Sequence, residues 1–315
     1  MAITQQSSPS TSSPAAPAAP LRRSRGRRGE SATAAWMISP ALALFLLFLF
    51  VPIVLAFALA FTNARLISPR PPEFIGLDNF SLLLTDPVFW ASVRNTFYFA
   101  LVVVPVQAGL ALALAVLVNA KVRGTQFFRT VYFLPVVTSM VVVSLLWRFM
   151  YRQDGLINQL LDAVTFGRYT PVDWLNDPTW AMPAIMFMSV WQGVGFTMII
   201  WLAGLQTIPA ELYEASELDG AGTWHQFRYV TWPGLLQTRT FILVTITIAA
   251  FSLFTQINVM TQGGPLDSTT TVVYQAVRSG YQQLQTGYAS AISLVFFALV
   301  LTVSLIQRYL TREKG

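Results

Sequence analysis

Long apolar runs separated by short polar segments dominate the chain, and six of these runs predict helices that cross a membrane. A hydrocarbon core of roughly 30 Å takes about 20 helical residues. Span 1 is expected over about Trp36 to Phe61, span 2 over Thr96 to Val118 and span 3 over Thr130 to Met150. Span 4 follows over Ala181 to Gly204, span 5 over Thr240 to Val259 and span 6 over Tyr288 to Tyr309. Arg148 near the end of span 3 must snorkel to the membrane surface or face the protein interior. Pro105, Pro135 and Pro183, with Gly193 and Gly195, are expected to bend or loosen spans 2 to 4, which membrane helices tolerate where they line a cavity or pack closely. The pattern is that of an all-α polytopic membrane protein.

One polar stretch interrupts the apolar pattern, from Glu211 to Pro233 between spans 4 and 5. It carries four acidic residues, Glu211, Glu214, Glu217 and Asp219, and the only histidine, His225. Pro209 suits the first turn of a helix, where its missing N–H is no loss, and Gly220 can take the left-handed conformation that ends one. A first short helix is therefore predicted from Pro209 to Leu218. Thr223 and Gln226 have capping-box spacing, which predicts a second helix from Trp224 that stops short of Pro233. Trp224, Phe227 and Val230 would share one of its faces. Helices this short are unstable alone in water, so the pair should pack against something, and a groove on another protein fits.

The same residues carry a family resemblance. Glu214-Ala215-Ser216, three residues, Gly220, nine residues and Val230-Thr231-Trp232-Pro233 resemble the EAA loop of binding-protein-dependent ABC importer permeases. That loop reads Glu-Ala-Ala, three residues, Gly, nine residues, Ile-x-Leu-Pro. The spacing is kept throughout, and Ser216, Val230 and Trp232 depart from it. Gly76-Leu77-Asp78-Asn79-Phe80, Thr261-Gln262-Gly263-Gly264-Pro265 and Gly287-Tyr288-Ala289-Ser290-Ala291 are more loosely similar to segments of the carbohydrate-type members. Glycine and proline there also suit plain turns.

The resemblance implies the six-helix type I importer (MetI-like) permease fold. It also implies a second permease subunit, a different but homologous chain, two ATPase subunits that hold ATP and magnesium, and an extracytoplasmic solute-binding protein. No cofactor is expected on this chain itself. The coupling residues toward the ATPase would be Glu214, Ala215, Ser216, Asp219, Gly220, Phe227 and Pro233. Glu214 is expected to make a charged contact, Ala215 to allow close approach and Gly220 to make the bend.

Composition narrows the alternatives. The 315 residues are 54% hydrophobic and 11% charged, a balance foreign to soluble domains and usual in membrane proteins in contact with lipid. No cysteine is present, which excludes disulfides and thiolate metal sites, and a single histidine leaves little for imidazole chemistry. The net charge of +6 follows from topology rather than from binding nucleic acid. Residues 1–30 are expected to form a disordered tail ending in Arg22, Arg23, Arg25, Arg27 and Arg28, with the permease domain over 31–315 and its coupling loop at 205–238. The uncharged run from Ser31 to Ala64 is too long for a cleaved signal core of about 7–15 residues. Lys121, Arg123, Arg129, Arg228, Arg239, Arg308, Arg312 and Lys314 fall on the same side as that tail, against Arg65, Arg70, Arg94, Arg152, Arg168 and Arg278 on the other, plus Arg148 at a span end. The bias puts both termini and the polar loop in the cytoplasm, and the resemblance implies that the membrane is the inner membrane of a bacterium.

The sequence has no Gly-x-x-x-x-Gly-Lys-Ser/Thr phosphate loop, and none of the six spans has a central Asp or Glu. An ion-coupled secondary carrier, the alternative reading, commonly needs such a carboxylate. A membrane-embedded enzyme would need a catalytic constellation, and none is evident. Energy is therefore expected from a separate ATPase. Gln107, Trp147, Trp191, Gln192, Gln256 and Asn258 are candidates for a solute path, since a sugar is met by amide groups and aromatic faces. Gln and Asn also join membrane helices to one another, and Trp also marks the membrane interface.

Overall fold

The computed structural model describes residues 27–119, 132 and 134–310, with side chains from Trp36 to Tyr309 within those ranges. Most of the expected basic tail, the cationic segment 120–131, the start of span 3 and the last five residues lie outside the described residues. The chain divides into two compact units at Ile53 and Val54. The first contains helix α1 (Arg27–Phe45), a π-helical turn (Leu46–Phe50) and the first residues of α2 (Val51–Leu59).

The second unit runs from the rest of α2 through α3 (Asp78–Thr85), α4 (Pro87–Asn119), α5 (Met140–Met150), α6 (Leu156–Val164) and α7 (Ala181–Gln206). Next come α8 (Ala210–Leu218), α9 (Thr223–Gln226), a π turn (Phe227–Thr231), α10 (Trp232–Gly234) and α11 (Leu236–Phe251). It ends with α12 (Thr255–Met260), α13 (Val272–Val277), a π turn (Arg278–Gln282) and α14 (Thr286–Leu310). No strand occurs among the described residues, only an isolated bridge between Thr62 and Phe74.

Among the described residues, five helical segments are long and apolar enough to cross a membrane: Trp36–Leu59, Pro87–Asn119, Ala181–Gln206, Leu236–Met260 and Thr286–Tyr309. They match spans 1, 2, 4, 5 and 6. Span 3 differs, because 134–137 are helical but the helix breaks at Thr138 and Ser139, leaving α5 with 11 residues. Ser139 is extended at ψ 132°. Arg148 on α5 is exposed and donates to the Val259 carbonyl at 3.3 Å, which ties α5 to the end of α12.

At the residues expected to bend or loosen spans 2 and 4, the helical hydrogen-bond pattern is continuous. Helix α4 runs through Pro105 and α7 through Gly193 and Gly195 without interruption. Pro183 sits in the first turn of α7, where no intrahelical donor is required. Instead the chain breaks in span 5, at Ser252 to Phe254 between α11 and α12, where Phe254 has φ −135° and ψ −56°.

Small residues explain why α4 and α7 lie close together. Ala108, Ala111 and Ala115 recur on one face of α4 and are buried against Met198, Trp201, Leu202 and Leu205 of α7. Short side chains let helix backbones approach where lipid offers no hydrophobic drive for association. The buried Trp201 indole donates to the Ala108 carbonyl at 3.1 Å. A larger cluster joins Phe99 and Val103 of α4 to Trp147 of α5, Ile185 and Met188 of α7, and Phe251 and Ile257 on either side of the break.

Buried asparagines staple the connecting segments at one end of the bundle. The Asn79 amide donates to the Ala60 and Thr62 carbonyls, and the Asn95 amide to those of Asp267 and Thr270. Asn158 donates to the carbonyls of Arg152, Gln153 and Val172, and accepts from the Tyr169 hydroxyl, the Val172 N–H and the Trp174 indole. The segment from Gln262 to Asp267 holds four left-handed residues, Gln262, Gly263, Leu266 and Asp267, and a cis Gly264–Pro265 bond. Thr269, Thr270 and the Tyr274 hydroxyl bond to the carbonyls of Gly264, Gly263 and Gln262. Burial raises the Tyr274 pKa, and the Arg278 guanidinium partly offsets this.

Candidate functional site: a bent helix pair below an amide-lined cavity

Helix α8 begins at Ala210, with Pro209 as its extended cap at ψ 133° rather than as its first helical residue. It ends at Leu218, and Gly220 follows at φ +79° as the sequence predicts. The Ala221 N–H reaches back to the Ser216 carbonyl at 2.9 Å and the Gly220 N–H to that of Glu217 at 3.0 Å. This pairing satisfies the last carbonyls of the helix and turns the chain sharply.

The second helix departs from the expectation in two ways. The capping box does not form: Gly222 occupies the cap, Thr223 is already helical, and the Gln226 amide donates instead to the Ser216 hydroxyl at 3.2 Å. Ser216 belongs to the first helix, so the bond that the local pattern assigned within one helix joins the two. Nor does the helix stop before Pro233. A π turn at Phe227–Thr231 carries it on, with the Trp232 N–H bonded to the Phe227 carbonyl. Pro233 then falls in the first turn of α10, where its missing N–H breaks nothing.

Further contacts bind the pair to itself and to the flanking helices. The Tyr213 and Thr231 hydroxyls meet at 3.0 Å. Trp224 stacks on Phe227 at 5.8 Å, Phe227 lies 6.3 Å from Trp232, and the Arg239 guanidinium sits over the Trp232 ring at 4.6 Å. Trp232, where the EAA pattern has Leu, is thus held between a ring and a cation. A Cβ on Gly204 would meet the Thr238 side chain, and one on Gly234 would touch Ile208, so the end of α7 and the start of α11 nearly abut.

Among the predicted coupling residues, Glu214, Ala215, Asp219, Gly220 and Pro233 are exposed, while Ser216 and Phe227 are half-buried. Leu218 is 90% exposed and Trp224 70% exposed, unusual for apolar groups at the tips of soluble-facing helices. The pairings of Tyr213, Thr231, Gln226 and Arg239 escaped the sequence reading, because they cross between elements.

The helices flanking this pair line a cavity of about 290 Å³ between α4, α7 and α11, continuing to the start of α12. Gln107, Gln192 and Gln256 all face it, brought together from three helices. The Gln107 amide donates to the Thr197 hydroxyl at 2.9 Å and rests against Gly193, where a Cβ would lie 2.6 Å from its nitrogen. Ser189, Thr197 and Thr245 also line the cavity, and nothing in the sequence singled them out. The other three candidates do not line it. Trp147 is buried edge-on against Trp191, Trp191 borders a separate cavity beside Pro135 and Thr138, and Asn258 is exposed on α12.

A family profile described as binding-protein-dependent transport system inner membrane component matches residues 106–314. The chain is 39% identical over 274 residues to the probable ABC transporter permease protein YurN of Bacillus subtilis (strain 168), covering 85% of this chain and 92% of that one. It is 35% identical over 285 residues to the lactose transport system permease protein LacF of Rhizobium radiobacter, covering 89% and 94%. Its fold is similar to a chain in the crystal structure of a bacterial alginate ABC transporter in complex with alginate pentasaccharide-bound periplasmic protein, with a TM-score of 0.77 and 24% identity over 91% of this chain and 96% of that chain. The chain therefore belongs to the binding-protein-dependent inner membrane components, the multi-pass permease subunits of ABC importers.

Proposed function

We propose that this permease forms one half of the solute path of an ATP-driven importer for a sugar or sugar-like solute, and that Pro209 to Pro233 couples it to a separate ATPase subunit. The observation that carries this reading is the exposed, internally bonded helix pair α8 and α9, continuous through α7 and α11 with the walls of an amide-lined cavity. An ATPase closing on ATP and magnesium moves the groove that holds the pair. Because Gly204 nearly abuts Thr238 and Ile208 nearly abuts Gly234, α7 and α11 move together with it. The cavity then opens alternately to the two sides of the membrane.

The remaining partners are a second, homologous permease, a second ATPase subunit and an external solute-binding protein. Both termini and the helix pair lie in the cytoplasm, in keeping with the distribution of Lys and Arg. The lactose relative supports a sugar-class cargo.

The test is Glu214→Lys in the assembled transporter. Glu214 is exposed on α8 beside Glu211 and Glu217, so it is free to meet a cation of a partner, and placing like charges together at a desolvated contact costs several kcal/mol. Co-purification of the ATPase should fall at least tenfold while the permease still inserts. An undiminished complex removes Glu214 from the interface.

A further inference from the structure

The walls of the cavity above the helix pair are chemically uniform in one respect. Its described lining contains no charged side chain. The polar groups it offers are three carboxamides, Gln107, Gln192 and Gln256, and the hydroxyls of Ser189, Thr197 and Thr245.

These groups differ in how far they are already engaged. The Gln107 amide and Thr197 hydroxyl are bonded to each other, and the Thr197 hydroxyl also donates to the Gly193 carbonyl at 3.1 Å. The carboxamides of Gln192 and Gln256 make no hydrogen bond to the described residues. The Ser189 hydroxyl, on a residue only 8% exposed, has no partner among them either. A buried hydroxyl without a partner is unfavourable unless something supplied from the cavity completes it. The rest of the wall is apolar, with Phe99 and Phe196 among its rings.

We infer that this cavity takes a neutral, polyhydroxylated solute and rejects anionic sugars of the same size, an inference that rests on the proposed importer reading. A carboxamide both donates and accepts, as a sugar hydroxyl does, so each amide can serve two neighbouring hydroxyls whatever their orientation. A carboxylate or phosphate needs a cation or several fixed donors to replace its water, and the described walls supply no cation. The stepwise arrangement, with Gln107 held by Thr197 and Gln192 and Gln256 left open, fixes one side of the site and leaves the other two amides for the ligand. At 290 Å³ this subunit's share of the space is near the lower end of the roughly 300–1,000 Å³ of small-molecule sites.

The experiment is saturation-transfer NMR on the assembled transporter in lipid nanodiscs. The probes are neutral disaccharides (trehalose, maltose, lactose and cellobiose) and digalacturonate, an anion of matching size. At least one neutral disaccharide should give transfer that falls fivefold or more in Gln192→Leu and in Gln256→Leu, while digalacturonate gives none and does not compete. Both substitutions remove an amide that supports nothing else in the fold, and co-purification of the partner chains checks assembly. Equal transfer from digalacturonate, transfer insensitive to both substitutions, or no transfer from any probe overturns the inference. None of these results touches the coupling reading, which stands or falls on ATPase co-purification with Glu214→Lys.

Discussion

Single side chains decide much of how the connecting segments are held. Asn158 illustrates the point, since one amide group serves three carbonyls and accepts three donors, including the Trp174 indole. Asn158→Leu leaves those groups buried without partners, and a destabilisation on the order of 3 kcal/mol is expected. Thermal unfolding of the detergent-solubilised protein followed by tryptophan fluorescence measures it, and an unchanged midpoint means that the loop does not depend on this residue. Gly220 was legible in the sequence because its left-handed backbone is a local property. The partner of Gln226 was not, because the competing acceptor, Ser216, comes within reach only after the chain turns at Gly220.

At the scale of elements, the bend between α8 and α9 is set by backbone conformation and not by crowding. A Cβ on Gly220 would meet nothing within 4 Å, yet its φ of +79° is unfavourable for any β-branched residue. Gly220→Val should therefore cost at least about 1–2 kcal/mol in the helix pair. Uptake of solute should be abolished while membrane insertion is preserved, and Gly220→Asn should restore part of it, since Asn visits this region more readily. Normal uptake by the valine variant would mean that the bend is not needed for coupling. The places of spans 2, 4, 5 and 6 were visible in their apolar runs, but the start of α4 at Pro87, ahead of the expected Thr96, and the break at Ser252 to Phe254 were not. No proline or glycine marks the break, and what holds it is tertiary: the Leu253 carbonyl accepts from the Thr271 hydroxyl, and Phe251 and Ile257 pack into one cluster. Pro233 was misjudged as a stop for the opposite reason, because the π turn before it shifts the hydrogen-bond register and absorbs the missing donor.

For the whole molecule, the proposed orientation can be tested cleanly because the chain has no cysteine of its own. Glu217→Cys, on the exposed face of α8, should react with a membrane-impermeant maleimide only from the cytoplasmic side. Asp154→Cys, in the exposed segment after α5, should react only from the outside. Labelling with the two sides exchanged would put the helix pair on the wrong side for an ATPase and remove the coupling reading. The salt bridge between Arg152 and Asp154 is exposed on both partners and adds little to stability, so its loss in the second variant leaves the fold intact.

The order of apolar and polar segments by itself determined that this is an all-α membrane protein with a polar helix pair set between two spans, because burial in lipid and local turn chemistry act along the chain. The spacing from Glu214 to Pro233 likewise marked the family, since it depends on distances in sequence alone. Only the tertiary structure decided which amides meet. Gln107 lies 90 residues from Thr197, and their hydrogen bond exists because small residues on α4 and Gly193 on α7 let two backbones approach. That approach, and the break that brings Gln256 to the same cavity, are set by packing between helices rather than by any one segment's own pattern.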